Sequence, residues 1–243
     1  MRPIKSISPM ITERITVCIV HYNTPKLTEC AIRSLRKHTQ GELEVIVFDN
    51  SDKRPFRPME GVEVLDNTKG QLIDFDRWLA RFTDKEPSPG NNYGSAKHCY
   101  TVQWLIDHRK RPFILMDSDV LIMQDITPFW DRAYGWIGEV GENVKRRFGY
   151  DIKKLHPFLC FINVPMVRNA GILYCNPSYM WNLTRVAPNH RYDTGAWFLQ
   201  EARRVGLPSK ELRLKDYLLH LRHGSWRDKE PMKWLEEHKD LWN

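Results

Sequence analysis

Phe113–Ile122, which reads FILMDSDVLI, is the stretch that decides how this chain folds. Four apolar residues lead directly into Asp117, and Asp119 follows two positions later, ahead of a second apolar run. A short apolar run of this kind is typical of a strand that is buried on both faces of a sheet. The two aspartates are therefore expected where this strand leaves the sheet.

Two like charges at the end of a buried strand are unfavourable unless something positive lies beside them, because neighbouring carboxylates repel each other and raise each other's pKa. Oxygen ligands without a thiolate suit a hard cation such as Mg²⁺ or Mn²⁺, which keeps open positions for phosphate oxygens. The alternative is a strand that ends in two solvated acids with no further role. The acidic pair alone leaves both interpretations open.

Three earlier runs predict further strands of the same sheet. They are residues 15–20, 44–48 and 62–65, which are rich in apolar and β-branched side chains. A helix that begins at Thr24-Pro25 separates the first two, and a strand–helix–strand unit builds a parallel sheet with ligands at the carboxyl ends of its strands. We therefore expect one rim that carries the acidic pair together with Tyr22, Asn23, Asp49 and Asn50.

The remaining patterns predict elements on both sides of the acidic pair. Helices are expected over residues 71–82, from the segment 91–98 to about residue 107, over 196–205 and over 231–241, and strands over 156–163 and 214–221. Small residues at the start of the second helix, including Gly94, let the backbone approach a phosphate, and Lys97 adds positive charge. Asp193 precedes the helix over 196–205, where an aspartate is ordinarily a helix cap.

Composition limits the partners. The chain has 243 residues, a net charge of +7 and a pI near 9.1, which favours contact with an anionic partner. The basic segment 145–154 is either a solvated loop or a surface for an acceptor or an anionic membrane. Five cysteines without a CxxC pair predict reduced core thiols and no zinc site. No signal peptide and no run of about 20 apolar residues is present, so we expect a cytoplasmic protein, with peripheral membrane contact as an option.

The order of these motifs resembles the family 2 glycosyltransferases, nucleotide-sugar-dependent enzymes of GT-A fold, over roughly residues 15 to 226. The motifs are the first strand with Tyr22-Asn23, the second with Asp49-Asn50-Ser51, the segment Asn92-Tyr93-Gly94-Ser95-Ala96, the acidic pair, the Asp193-to-Gly206 helix, and a late His220 with Ser225-Trp226. Individually they are weak signals. Their order and spacing together are fairly specific.

The resemblance implies a role for each motif. The acidic pair resembles the family's DxD motif, in which Asp119 would bind the metal directly and Asp117 would contact the ribose or reach the metal through water. Asp49 would contact the nucleobase. Asp193 would be the general base of an inverting transfer, although Tyr192 stands where the family usually has another acid. The other donor-binding and metal-binding residues that it implies are Tyr22, Asn23, Asn92, Gly94, Lys97 and Ser118 for the donor, and His220 or His223 for the metal.

The resemblance also implies the architecture and the chemistry. We expect a single α/β domain over residues 1–243, a three-layer α/β/α sandwich with a mixed, mostly parallel central sheet. Its nucleotide-binding half would be 15–110, its metal and acceptor half 111–226, and its C-terminal helix 227–243. It would transfer a sugar from a nucleoside diphosphate donor, with a UDP-sugar favoured, to a saccharide or lipid-linked acceptor in polysaccharide or glycolipid assembly. The cofactor would be Mn²⁺ or Mg²⁺, and no nucleic acid partner is expected.

Three alternatives from other classes would use parts of the same sequence. A phosphohydrolase of the haloacid dehalogenase type also has an apolar strand that leads into Asp-x-Asp, but it expects Thr or Val where Leu121 stands and a later acidic pair for its metal. A non-enzymatic module would bind polyanions through residues 145–154, and its binding would depend on salt and not on a metal. A sugar nucleotidyltransferase would need a Gly-rich loop after the first strand, and His21-Tyr22-Asn23-Thr24-Pro25 has no glycine.

Overall fold

The computed structural model describes residues 13–83, 93–142, 153–180, 183, 192–221 and 231–243. The strands in these ranges are β1 (Ile15–His21), β2 (Leu43–Asp49), β3 (Val62–Asp66), β4 (Phe113–Asp117), β5 (Val120–Ile122), β6 (Trp136–Glu142), β7 (Lys153–Ile162), β8 (Ser209–Glu211) and β9 (Leu218–His220). The helices are α1 (Pro25–His38), α2 (Phe75–Leu79), α3 (Gly94–His108), α4 (Val164–Asn169), α5 (Ala196–Arg204), α6 (Met232–Glu237) and α7 (Lys239–Trp242).

A seven-stranded sheet forms the centre, in the order β3-β2-β1-β4-β7-β6-β8. β3, β2, β1 and β4 run parallel, β7 runs antiparallel to both of its neighbours, and β8 pairs parallel with β6. The register places Val20 opposite Asp117 and His21 opposite Asp49. The carboxyl ends of β1, β2 and β4 therefore meet at one edge of the sheet, as the strand–helix–strand pattern predicted.

Helices cover both faces of this sheet. On one face, Ala31 and Leu35 of α1 pack in a buried cluster with side chains such as Val17 and Met116. On the other face, α3 and α5 pack through residues that include Val102 and Phe198. The predicted three-layer α/β/α architecture with a mixed, mostly parallel sheet is confirmed.

The C-terminal segment returns to the body of the protein. Leu235 of α6 is buried against Leu27 and Cys30 of α1 and against Leu121. Lys37 of α1 donates to the backbone carbonyls of residues 240 and 243. The single helix predicted over 231–241 is interrupted, however, because α6 ends at Glu237 and a separate turn of helix, α7, begins at Lys239.

Two further sequence predictions were too long. The helix expected over 71–82 is only α2, because Asn67 accepts hydrogen bonds from the backbone of residues 72 and 73 and Asp74 caps the helix through Arg77 N–H. The strand expected over 214–221 begins with a 3₁₀ turn over Leu214–Asp216, and only Leu218–His220 pairs as β9. In both places the hydrophobic spacing is correct, while local hydrogen bonds decide where the element starts.

The structure describes the five cysteines and the helices that could be compared with a membrane span. All five cysteines are free and buried, as reduced core thiols would be. Burial raises the pKa of Cys18 to about 12, so this thiol stays protonated and unreactive at neutral pH. Among the described residues, no helix combines the length and apolar character that crossing a membrane requires.

Candidate functional site

The acidic pair lies where two strands meet. β4 ends at Asp117, Ser118 and Asp119 form a turn, and β5 begins at Val120. The side chain of Asp119 is 3% exposed, whereas that of Asp117 is 18% exposed. The turn thus places one carboxylate inside the protein and the other at its edge, as expected for acids at the end of a buried strand.

β9 brings His220 to the buried acid. β5 and β9 pair antiparallel with Val120 opposite His220, and Leu221 N–H donates to the Asp119 carbonyl at 2.9 Å. This pairing sets His220 Nε2 3.4 Å from Asp119 Oδ1. The ring of Phe158 stacks on the His220 imidazole, with 3.8 Å between their centroids, and so limits the orientations of the imidazole. His220 and Asp119, which the resemblance assigned to one metal site, are therefore neighbours.

His98 is a residue of this site that the sequence interpretation missed. It lies in the first turns of α3, and its Nε2 is 3.1 Å from Asp117 Oδ1. Each aspartate of the pair thus faces one imidazole. The available signal was the position of His98 just after the small residues that open a helix at the rim of the sheet.

The predicted nucleoside residues at the ends of β1 and β2 hold a loop in place. Asp49 is 2% exposed, and its two carboxylate oxygens accept the backbone N–H groups of Ser51 and Phe56. Asn23 is 1% exposed and accepts the N–H groups of Lys53 and Arg54. These bonds explain why both polar side chains are buried, and a contact between Asp49 and a nucleobase stays a prediction.

Asp52 is an exposed acid in the loop after β2. It accepts hydrogen bonds from Tyr22 Oη at 3.1 Å and from the side-chain amide of Asn23. Partial burial acts to raise the pKa of Asp52, but the hydrogen bonds from Asn23 and Tyr22 outweigh it and hold the pKa below its ordinary value. Asp52 therefore presents a charged carboxylate beside the predicted nucleoside residues, and the sequence interpretation did not single it out.

The other predicted donor residues fall into two groups. Gly94 opens α3, directly after Tyr93, whose backbone is left-handed with φ 59°. The ammonium of Lys97 lies 5.5 Å from the centre of the Phe75 ring, and a cation over an aromatic face is attracted to it. Asn92, His223 and Ser225-Trp226 lie outside the described residues, so their roles stay predictions.

Asp193 is paired with a lysine. Its Oδ2 lies 2.9 Å from Nζ of Lys154 on β7, and the two side chains are 18% and 16% exposed. Gly195, and not Asp193, is the residue that caps α5, and the cap involves no side-chain hydrogen bond. Asp193, where the sequence favoured a helix cap, therefore does not occupy the N-cap position of α5.

The first turns of α3 connect Asp193 to the acidic pair. Thr194 Oγ1 donates to the Ser95 carbonyl at 3.3 Å, and His98, one turn further along α3, contacts Asp117. The loop that carries Asp193 and the carboxylate at the end of β4 thus border the same short stretch of helix.

Gly195 makes the Asp193 loop possible, and replacing it should destabilise the protein. Its φ is +78°, and a Cβ added to it would lie 2.1 Å from the Leu155 backbone oxygen. For Gly195→Ala we expect a loss of about 3 kcal/mol in the free energy of unfolding, from the left-handed backbone and the displaced carbonyl together.

Urea unfolding of Gly195→Ala measures this loss, and Gly206→Ala is the matched control. Gly206 also has a left-handed backbone, with φ +67°, but an added Cβ would meet nothing within 4 Å. Its loss should be only about 1 kcal/mol. Equal losses for the two variants would show that contact with the Leu155 carbonyl does not matter.

The residues around the acidic pair suit a divalent cation in chemical type. Carboxylate oxygens of Asp117 and Asp119 with an imidazole of His220 are donors that Mn²⁺ accepts readily, and the carboxylates suit Mg²⁺. Across the described ranges, no group of three or more His, Cys, Asp and Glu residues is already arranged to hold an ion. Such cations commonly complete their coordination with water and substrate phosphates. The residues therefore fit a cation that binds together with a diphosphate.

Comparison with solved structures identifies the fold. The galactosyltransferase LgtC in complex with donor and acceptor sugar analogs aligns with a TM-score of 0.52 and 11% identity, over 83% of this chain and 74% of that chain. A structure of an active-site mutant of LgtC aligns over the same shares, with a TM-score of 0.51 and 11% identity. The chain has a GT-A fold.

Other comparisons add nothing to this assignment. Mouse xyloside xylosyltransferase 1 aligns over 82% of this chain and 78% of that chain at 12% identity, but its TM-score of 0.46 is too low to support a conclusion. No family model and no curated protein sequence matches the chain. At these identities the GT-A assignment describes the fold alone. Conclusions about activity therefore depend on the residues of the site.

Proposed function

We propose that this protein is a metal-dependent glycosyltransferase that moves a sugar from a nucleoside diphosphate donor to a saccharide or lipid-linked acceptor. The observation that carries the proposal is the meeting of Asp119 and His220 at the end of β4 in a GT-A fold, with their side chains 3.4 Å apart. The proposal includes membership of glycosyltransferase family 2 and a preference for UDP-sugars. Both are supported by the order of the sequence motifs.

Asp119 would be the direct ligand of a Mn²⁺ or Mg²⁺ ion, and His220 would complete the protein's share of its coordination. Asp117, which is more exposed, would contact the ribose or reach the ion through water. The cation would offset the charge that develops on the leaving diphosphate. Burial of Asp119 supports this division, because a carboxylate in a less polar environment interacts more strongly with a cation.

Asp193 would be the general base of an inverting transfer. The acceptor hydroxyl forms its bond to the anomeric carbon, the bond from that carbon to the diphosphate oxygen breaks, and the hydroxyl proton passes to the Asp193 carboxylate. The Lys154 ammonium, 2.9 Å from the carboxylate, orients Asp193. An ammonium at this distance favours the charged carboxylate, so the ion pair would have to open as the proton arrives. The acceptor would then approach from the side of the Asp193 loop.

The net charge of +7 favours acceptors or membrane surfaces that are anionic, such as a lipid-linked saccharide phosphate. Residues 153 and 154 are the part of the basic segment 145–154 that the structure describes, and Lys154 is committed to Asp193. A cytoplasmic location and a peripheral membrane contact stay predictions. So does the assignment of residues 1–243 to one domain with its two halves.

A thermal-shift panel of UDP, GDP, CDP and TDP, each with and without Mn²⁺, tests the donor site. A ligand that binds only the folded state at 100 times its dissociation constant adds about 2.7 kcal/mol to the stability. We expect UDP with Mn²⁺ to raise the melting temperature by about 5–10 °C, and EDTA to remove most of the increase. If no nucleotide stabilised the protein under any of these conditions, the donor site would not exist.

A further inference from the structure

We propose that His98 is a positioning residue of the donor site. It donates Nε2–H to Oδ1 of Asp117, so that Asp117 presents its second oxygen, Oδ2, to the ligand while Asp119 takes the direct metal contact. This division of roles between the two acids rests on the proposed function. The hydrogen bond itself does not, and it can be tested in the protein without any ligand.

The geometry places His98 and Asp117 in a partly enclosed contact. The Nε2 to Oδ1 distance is 3.1 Å, and the two side chains are 19% and 18% exposed. His98 lies on α3, whose neighbouring residues Ala96 and Cys99 are buried in the core. The helix is therefore anchored on both sides of the imidazole, which keeps the ring at the end of β4.

The surroundings of the ring indicate which nitrogen carries the proton. Nδ1 of His98 is buried, and no described residue forms a hydrogen bond with it. An ionised carboxylate can only accept a hydrogen bond, so Nε2 carries the hydrogen in the contact with Asp117. In the neutral ring Nδ1 is then the bare nitrogen, which needs no acceptor in its buried position.

This hydrogen bond occupies Oδ1, one of the two carboxylate oxygens of Asp117. Partners that hold a direct metal ligand orient it, and their loss typically lowers metal affinity by about 10–100-fold. Asp117 would act on the ion through water, so we expect the lower end of this range. Without His98 the Asp117 carboxylate could rotate. The site would then lose the fixed direction in which Oδ2 faces the ribose or a metal-bound water. We therefore expect the amide of Gln, which can also donate to Asp117, to replace the imidazole in part.

Two-dimensional ¹H–¹⁵N NMR of the imidazole nitrogens, in metal-free protein at neutral pH, tests the hydrogen bond directly. The His98 signals, assigned by their loss in His98→Gln, should show the tautomer with hydrogen on Nε2. The Asp117→Asn variant should shift the Nε2–H resonance. Hydrogen on Nδ1, or an Nε2 signal that does not respond to Asp117→Asn, would overturn the proposal.

Binding of Mn²⁺ in the presence of UDP, followed by electron paramagnetic resonance, tests the consequence for the site. His98→Leu should weaken Mn²⁺ binding about 10-fold, and His98→Gln should stay within about threefold of the wild type. The control is His108→Leu, the same change on the same helix at an exposed residue that stacks on Trp104. His98→Leu and Asp117→Asn together should weaken binding no more than Asp117→Asn alone.

The outcomes separate this proposal from the proposed function. Wild-type binding of Mn²⁺ and UDP with no change in His98→Leu would leave the donor site standing and overturn the role of His98. If the wild type bound neither, the glycosyltransferase proposal would fail, and the NMR result would still decide whether His98 holds Asp117. If His98→Leu did not fold, as judged by circular dichroism, the His98→Gln variant and the NMR experiment would provide the test.

Discussion

Replacement of Asp119 by alanine should lower glycosyl transfer by at least about 1000-fold, because the cation that offsets charge on the leaving diphosphate would lose its direct ligand. Asp119 is 2% exposed and lies beside His220, whereas Asp117, the other acid of the pair, hydrogen-bonds to His98, so we do not expect Asp117 to replace the lost ligand. The same change should abolish the Mn²⁺-dependent part of the thermal stabilisation by UDP. Both effects follow from a single lost carboxylate.

Initial rates of sugar release from a UDP-sugar, at several Mn²⁺ concentrations, measure this loss. Asp216→Ala is the control, since Asp216 lies in the turn just before β9, its side chain is 50% exposed, and it pairs only with nearby Arg213 among the described residues. The control should retain wild-type activity. If Asp119→Ala kept the nucleotide stabilisation and its metal response unchanged, the acidic pair would not be the metal site.

Asp193→Asn should reduce transfer by about 1000-fold while donor binding stays within about twofold of the wild type. The amide cannot accept the acceptor's proton, but its oxygen can still accept a hydrogen bond from Lys154, which lies 2.9 Å away in the wild type. The loop is therefore expected to keep its shape. A lower catalytic rate with unchanged nucleotide affinity is the result expected for a group that acts only in the transition state.

Rapid-mixing measurements of transfer, together with the UDP thermal shift, separate these two effects. Glu201→Gln is a matched control, because Glu201 is also 18% exposed, lies on the helix that follows Asp193, and pairs with a basic residue, Arg204. It should leave both quantities unchanged. Normal transfer by Asp193→Asn would rule out Asp193 as the base. Another group beside the acceptor would then have to take the proton.

The strands and the acidic pair were predictable because their signals are local. The apolar run before Asp117 is long enough for a buried strand, and the strand–helix–strand pattern earlier in the chain predicts the parallel strands β1, which pairs with it, and β2, which pairs with β1. The starts of α1 and α5 were predictable for the same reason. Element ends were less so, as α2 and β9 show, because a side chain such as Asn67 can hold a loop where the spacing favours a helix.

The contacts of the site were only partly predictable. Asp119 with His220 followed from the motif order, yet His98 on Asp117 and Lys154 on Asp193 involve residues 19 and 39 positions apart. Polar residues at a strand end can face a ligand or support a loop, and the sequence does not distinguish the two cases. Asp49 shows this, because its oxygens bond to backbone N–H groups of the following loop.

The sequence alone determined that this chain forms an α/β sandwich and that two aspartates stand at the end of a central strand. Both follow from hydrophobic periodicity, which acts over a few residues. Only the tertiary structure decided which side chains these and the other polar residues meet. His98 meets Asp117 and Lys154 meets Asp193 because α3 and the loop before α5 pack against the sheet that contains β4 and β7. Contacts of this kind depend on how whole elements pack, so the spacing of residues along the sequence does not predict them.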